Sequence, residues 1–191
     1  MIYIGIDPGL HGAIATIRES ESESGAIDSS TIPTIMTGKK RVLNHAMLSS
    51  MFALLQSTNQ IFDGIVECYA VLERQHAMPK QGVVSTLSIG YGFGALKQCL
   101  VDFTIPHEVV HANVWQKEFS ISARKGNTKA QALQICQDLF PDVNLLATEK
   151  SKKPHDGIVD ALLIAEYARR RHSGIASQSD RETLKEKWKK K

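Results

Sequence analysis

Ile2-Tyr-Ile-Gly-Ile-Asp7, then Pro8-Gly-Leu-His-Gly12, then Ala13-Ile-Ala-Thr-Ile17 is the stretch that decides the fold. Two apolar, β-branched runs flank a turn containing Pro and Gly, which predicts an antiparallel hairpin of buried strands. Asp7 closes the first run, so a carboxylate sits at the mouth of a buried strand. Taken alone, such an acid is as often a turn or cap residue as a functional one. A later apolar run ends the same way, in Val71-Leu-Glu73. Near the C-terminus His155-Asp-Gly-Ile-Val-Asp160 leads into Ala161-Leu-Leu-Ile-Ala165. On a helix this spacing puts Asp156 and Asp160 one turn apart on one face.

Working outward, residues 19–30 are rich in Ser and Glu and read as a mobile loop before a third strand at 31–35. Leu43, Met47, Met51, Leu54 and Leu55 recur at helical spacing, which predicts an amphipathic helix over 42–55. A fourth strand comes within 61–73, clearest at 69–72, and then a connection over 74–82. A helix over 84–103, a fifth strand over 105–110, and helices over 113–119, 128–140 and 155–171 complete the pattern. No internal repeat is evident. Three strands, then helix, strand, helix, strand, helix predict an antiparallel meander extended by parallel strands through crossover helices. The fold class expected is α/β, a mixed five-stranded sheet flanked by helices, in the order of the ribonuclease H-like fold. One domain is expected over 1–172, with a basic tail over 173–191.

The bulk numbers agree with one domain: 191 residues at 42% hydrophobic content bury one core. Net charge is only +3, but positive residues crowd after Lys117, at Arg169-Arg-Arg171 and over 185–191, which suits either polyanion contact or a solvated tail. Cys68, Cys99 and Cys136 lie in apolar contexts without metal-binding spacing and read as reduced core residues. Strand-like sequence begins at residue 2 and no run approaches membrane-spanning length, so a cytoplasmic protein without a membrane partner is expected.

Carboxylates on three separate elements, each at the end of a hydrophobic run, are what Mg²⁺-dependent phosphoryl transfer requires. In a two-metal site, cations about 3.5–4 Å apart are clamped by such acids, one activating water and the other stabilising the leaving oxygen. Oxygen donors with few histidines favour Mg²⁺ or Mn²⁺ over Zn²⁺. Asp7 is placed to bridge, Glu73 to hold one side, and Asp156 with Asp160 to close the other. Without a cation the four would repel one another. His155 reads first as a polar residue opening the last helix, and secondarily as a metal ligand or proton carrier.

The connection after Glu73 starts at a candidate catalytic acid, where Lys80 and Gln81 would reach phosphates or base edges; the plainer alternative is a simple link. Gly90, Gly92 and Gly94 are no nucleotide-binding fingerprint, because they do not join a strand to a helix. Their expected purpose is close approach of the helix to the sheet or to a second subunit, at a helix-propensity cost of about 1 kcal/mol each. Trp115 reads as core. Lys39-Lys-Arg41 begins a basic surface. Lys117, Arg124, Lys125 and Lys129 surround the Gly126-Asn127 break, where Asn127 or Thr128 would cap a helix whose N-terminus attracts anions. Lys129, in the first turn, is the strongest phosphate candidate of the four; the alternative is that all are solvated charges.

Ile4-Gly-Ile-Asp-Pro-Gly9, Leu72-Glu-Arg-Gln-His-Ala-Met-Pro79 with Gln81-Gly82, Trp115-Gln-Lys117, Thr128-Lys129 and His155-Asp-Gly-Ile-Val-Asp-Ala-Leu-Leu163 together resemble the RuvC-type Holliday junction resolvases, nearest to their phage-borne and organelle-related branch. The resemblance spans residues 1–171 in order and spacing. It implies a homodimeric, Mg²⁺-dependent endonuclease that nicks opposing strands of a four-way DNA junction in a bacterial or phage-infected cell. Asp7, Glu73, Asp156 and Asp160 match the metal-binding catalytic acids. Lys117 and Lys129 match basic residues near the scissile phosphate, the loop from Arg74 to Gly82 would lie at the junction centre, and Lys125 is a further candidate for DNA contact. One departure stands out: bacterial housekeeping members space their last two acids three apart, whereas here they are four apart with Gly157 at the nearer position.

The mechanism implied is in-line hydrolysis with a leaving 3′-oxygen, Lys129 supporting the transition-state charge and no covalent intermediate. Rival readings are a general structure-selective nuclease for flaps, forks or RNA-containing duplexes, and a junction-binding protein with a decayed site. The opening Gly-Ile-Asp-x-Gly also occurs in actin-like and sugar kinases, but those need two such domains, so no nucleotide cofactor is expected.

Overall fold

The computed structural model describes residues 1–19, 26–57, 68–77 and 80–172. The tail expected over 173–191 and the start of the fourth-strand segment, 61–67, lie outside the described residues. In chain order the elements are β1 (Ile2–Asp7), β2 (Ala13–Arg18), β3 (Ile27–Thr31), β4 (Thr34–Thr37), β5 (Lys40–Leu43), α1 (His45–Ser57) and β6 (Cys68–Glu73). Then come α2 (Val83–Asp102), β7 (His107–Val110), α3 (Ala112–Glu118), a 3₁₀ turn at Ala123–Lys125, α4 (Thr128–Leu139) and α5 (Asp156–His172). The sheet is five-stranded in the order β3-β2-β1-β6-β7. The β1–β2 and β2–β3 pairs are antiparallel, and β1–β6 and β6–β7 are parallel. This is the expected mixed sheet with helices on both faces.

Strand alternation sorts the core into two layers. Ile2, Ile4 and Ile6 of β1 face one way, onto Leu48 and Phe52 of α1 and Leu96 and Leu100 of α2. Tyr3 faces the other way with Val71 of β6, onto Trp115 of α3, Cys136 of α4 and the buried run from Ala161 to Ala168 of α5. Helix α5 lies directly on β1 because residue 5 is Gly: a Cβ there would stand 2.1 Å from the Ala161 carbonyl oxygen and 2.3 Å from the Ala165 nitrogen. Residues two apart share a face, so Asp7 joins Tyr3 and Gly5 on the α5 side, and Glu73 joins Tyr69 and Val71 there. Parity alone therefore aims both acids at the last helix.

The region before α1 departs from expectation. The third strand lies at Ile27–Thr31 rather than 31–35, and the chain then forms a separate hairpin, β4–β5, closed by a two-residue turn with Gly38 at φ +61°. Helix α1 consequently starts at residue 45 instead of 42, with the Asn44 side chain accepting from the Met47 N–H as its cap. Pro33 interrupts the pairing and the Gly38 turn re-pairs the chain with itself, which overrides helical spacing that reached back to Leu43. Among the described residues, no helix is long and apolar enough to cross a membrane.

Candidate active site

Asp7 and Glu73 end adjacent parallel strands, and the N-terminal turn of α5 arrives over those ends carrying Asp156 and Asp160. The C-terminal edge of parallel strands is where α/β sheets place ligands. The approach of α5 is again set by a glycine. A Cβ on Gly157 would stand 2.5 Å from the His11 carbonyl oxygen and 2.9 Å from Gly12 Cα, so the backbone of the β1–β2 turn occupies the space a side chain would need. An acid three residues before Asp160 has no room in this chain, and the helix supplies one at position 156 instead.

Electrostatics tie the four together. Burial, then repulsion from Glu73, Asp160 and Asp156, push Asp7 up to about 8, with Lys129 pulling the other way. Asp160 is pushed up to about 7 by burial and by Glu73 and Asp156. Glu73 is raised by burial, against the hydrogen bond from Trp115 and the nearby charge of His76. Asp156 is exposed and takes the Lys129 ammonium at 2.5 Å; that pairing raises Lys129. Such an exposed pair contributes little to stability, so it is easily exchanged.

Two of the acids are thus engaged by protein donors, Asp156 by Lys129 and Glu73 Oε2 by the Trp115 indole N–H at 2.7 Å. Correspondingly, among the described residues no three His, Cys, Asp or Glu side chains stand as ligands of one ion. In kind, the donor set fits a hard divalent cation: clustered carboxylate oxygens, three of them on half-buried residues and the fourth on exposed Asp156, with Asp7 and Asp160 costly to ionise together. In position, ligation requires side-chain rotation, above all release of Asp156 from Lys129.

His155 takes its simpler role. Its Nδ1 accepts from the Ile158 N–H at 3.3 Å, capping α5, and burial lowers its pKa, which favours the neutral acceptor form. Lys129 comes two residues after the cap Asn127, whose side chain accepts from the Lys129 N–H, and Lys129 is exposed in the first turn of α4. Among the described residues it is the one expected basic residue in contact with the acids. Lys117 is exposed on α3, Lys125 donates to the Ser120 carbonyl, and Arg74 is exposed with its backbone N–H on Val110. Lys80 is exposed at φ +66° and Gln81 is half-buried. Trp115 is core, as expected, with no exposure, yet it also orients Glu73. That role was legible in part, since a buried indole N–H needs an acceptor. His76, whose charge acts on Glu73, and His11, whose Nδ1 meets Arg41 at 3.3 Å, carried no comparable signal.

The expected close approach of Gly90, Gly92 and Gly94 to the sheet is not found: nothing lies within 4 Å of a Cβ built on any of them. Instead the first half of α2 is open, with Val83, Leu87 and Tyr91 exposed.

The fold is shared with solved proteins. Thermus thermophilus RuvC superposes with a TM-score of 0.52 at 15% identity, over 93% of this chain and 99% of that one. RuvC from the same organism in complex with a Holliday junction substrate gives 0.51 at 14% identity, with 93% and 99% covered. The yeast mitochondrial Holliday junction resolvase Ydc2 gives 0.48 at 16% identity, covering 89% of this chain and 78% of that one. At these identities the likeness to the two RuvC structures is one of fold. No family model matches the sequence, and no curated protein is significantly similar to it in sequence.

Proposed function

We propose that the chain is a divalent-cation-dependent endodeoxyribonuclease that resolves four-way DNA junctions by paired symmetric nicks, acting as a homodimer. The observation that carries this reading is the convergence of Asp7, Glu73, Asp156 and Asp160 at one sheet edge, where burial and then mutual repulsion raise Asp7 to about 8 and Asp160 to about 7. Mg²⁺, or Mn²⁺ in its place, would be held by these four. The chemistry such an ion would supply there is activation of a water and compensation of charge on the leaving 3′-oxygen.

Each protein group then has a task. Asp7, at the end of the central strand, anchors the site, and Trp115 fixes the orientation of Glu73. Lys129 leaves Asp156 for the scissile phosphate and supports charge developing there. Arg74, Lys80 and Gln81 meet the junction centre, and Lys117 and Lys125 meet phosphates. The fold shared with RuvC, which has been solved on a Holliday junction substrate, supports branched DNA as the partner. The open face of α2, with Leu87 73% and Tyr91 60% exposed around Gly90 and Gly94, supports self-association, since apolar patches of this kind mark interfaces. A two-fold dimer matches the two cuts a junction needs. The proposed place of action is the cytoplasm of a bacterial or phage-infected cell.

The test compares wild type with Asp7→Asn on a labelled immobile four-way junction and a matched linear duplex, in Mg²⁺ and in Ca²⁺. The expected result is paired nicks in Mg²⁺ only, lost in Asp7→Asn while junction binding persists. Equal cutting of linear duplex would replace junction resolution with general nuclease activity, and binding without nicks would leave a junction-binding protein.

A further inference from the structure

The β4–β5 hairpin has no part in the chemistry above. Its turn and second strand set Lys39, Lys40 and Arg41 in a row, all exposed, and among the described residues no carboxylate pairs with any of them. An uncompensated cationic run on a projecting hairpin attracts a polyanion. The hairpin is also tied to the candidate site. The Arg41 guanidinium donates to His11 Nδ1 at 3.3 Å, and His11 belongs to the β1–β2 turn whose backbone abuts Gly157, next to Asp156.

Between this hairpin and α2 lies a cleft of about 490 Å³. Its lining includes His11, Lys40 and Arg41, and is otherwise largely apolar, with Leu10, Val84 and Ile89 among the side chains. The volume is in the range of small-ligand sites, roughly 300–1,000 Å³. A phosphate grip alone needs no apolar hollow, and an apolar ligand needs no cationic lining. A nucleotide strand presents both, phosphates on one side and flat base faces on the other. The α2 positions lining the cleft, Val84, Ser85, Ser88, Ile89, Gly92 and Leu96, centre on a different side of the helix from Leu87, Tyr91 and Gly94, the two sides meeting at Val84 and Tyr91, so a partner subunit centred on the second side leaves the part of the cleft at Ile89 and Gly92 open.

We propose that this cleft is a nucleotide-binding subsite for the DNA strand flanking the cut, with Lys40 and Arg41 on its phosphates and the apolar lining receiving one unstacked base. The inference rests on the nuclease reading and adds to it a place for DNA beyond the carboxylates.

Two variants test the two halves. Lys40→Ala/Arg41→Ala removes the phosphate contacts, and Gly92→Leu fills the cleft at a position where a Cβ meets open space. Lys97→Ala/Lys150→Ala is the control of equal charge, and thermal melting verifies that all variants fold. Junction affinity is measured by fluorescence anisotropy across a salt series in Ca²⁺, with 2-aminopurine placed in turn at nucleotides flanking the mapped cut. The expected result is affinity about tenfold weaker or more for Lys40→Ala/Arg41→Ala, with the slope of log K against log salt reduced by about two relative to the control. In wild type one 2-aminopurine position brightens on binding, and Gly92→Leu abolishes that rise. Affinity and slope equal to the control, or no brightening at any position in wild type, overturns the subsite while leaving the nuclease reading standing. A wild type that binds no DNA overturns both.

Discussion

Burial and three neighbouring acids act together on Asp7, and the consequences are measurable without any substrate. Its pKa rises from 3.8 to about 8 on folding, so between those values the folded protein keeps a proton that the unfolded chain has released. The cation-free protein therefore loses stability as pH rises from about 4 to about 8, and Asp160, raised to about 7, acts in the same direction. In EDTA, denaturant unfolding should show Asp7→Asn more stable than wild type at pH 8, with a shallower pH dependence. Mg²⁺ should raise the wild-type melting temperature at pH 8 and leave that of Asp7→Asn nearly unchanged. A wild-type stability that stays flat over this pH range would mean that the acids do not share a site. Trp115→Phe keeps most of the buried bulk but removes the donor to Glu73, so single-turnover cleavage should slow by about 10- to 100-fold, the usual effect of losing a ligand-orienting partner. Unchanged cleavage would reduce Trp115 to packing alone. The residue scale also explains the four-residue spacing of the last two acids, because position 157 faces backbone and admits only glycine.

Among the elements, glycines show how the same residue type carries opposite meanings. Gly5 lets α5 lie on β1, and Gly5→Ala drives a Cβ into the Ala161 carbonyl, where neither backbone can yield. The expected loss is about 3 kcal/mol or more, read by chemical denaturation. Gly94→Ala, on the open face of α2, should instead gain about 0.5–1 kcal/mol from helix propensity when measured on the monomer. Local pattern could not separate these cases, since what lies opposite a glycine is decided by the packing of distant segments. The β4–β5 hairpin escapes local pattern for a related reason. The signals are present in Pro33, Gly38 and the cap Asn44, but the helical spacing from Leu43 competes with them, and pairing between strands settles the matter. The long helices α2, α4 and α5 were legible nearly to the residue, because their apolar spacing was sustained and, for α4, bounded by a cap signal.

At the scale of the whole molecule, the question is how one site becomes two coordinated ones. If α2 forms the proposed dimer face, Leu87→Asp places a charge in the middle of an apolar contact. Wild type should run as a dimer in sedimentation velocity, and Leu87→Asp as a folded monomer that nicks junctions singly or not at all. A wild-type monomer that still makes paired nicks would remove the α2 face from the mechanism.

The amino-acid order by itself determined the α/β class, the first two strands and the succession from α1 onward, and it singled out the four acids as candidates, since each rests on local periodicity and on an acid closing an apolar run. Within each strand, parity puts Asp7 on the face of Gly5 and Glu73 on the face of Val71, and the β1–β6 register makes these one face. Only the tertiary structure decided that this face is the one α5 covers, that Lys129 pairs with Asp156, that Trp115 holds Glu73, and that Arg41 reaches back to His11. These contacts join residues tens of positions apart, and their partners are chosen by how closely helices can approach the sheet, which here is set by the absent side chains of Gly5 and Gly157.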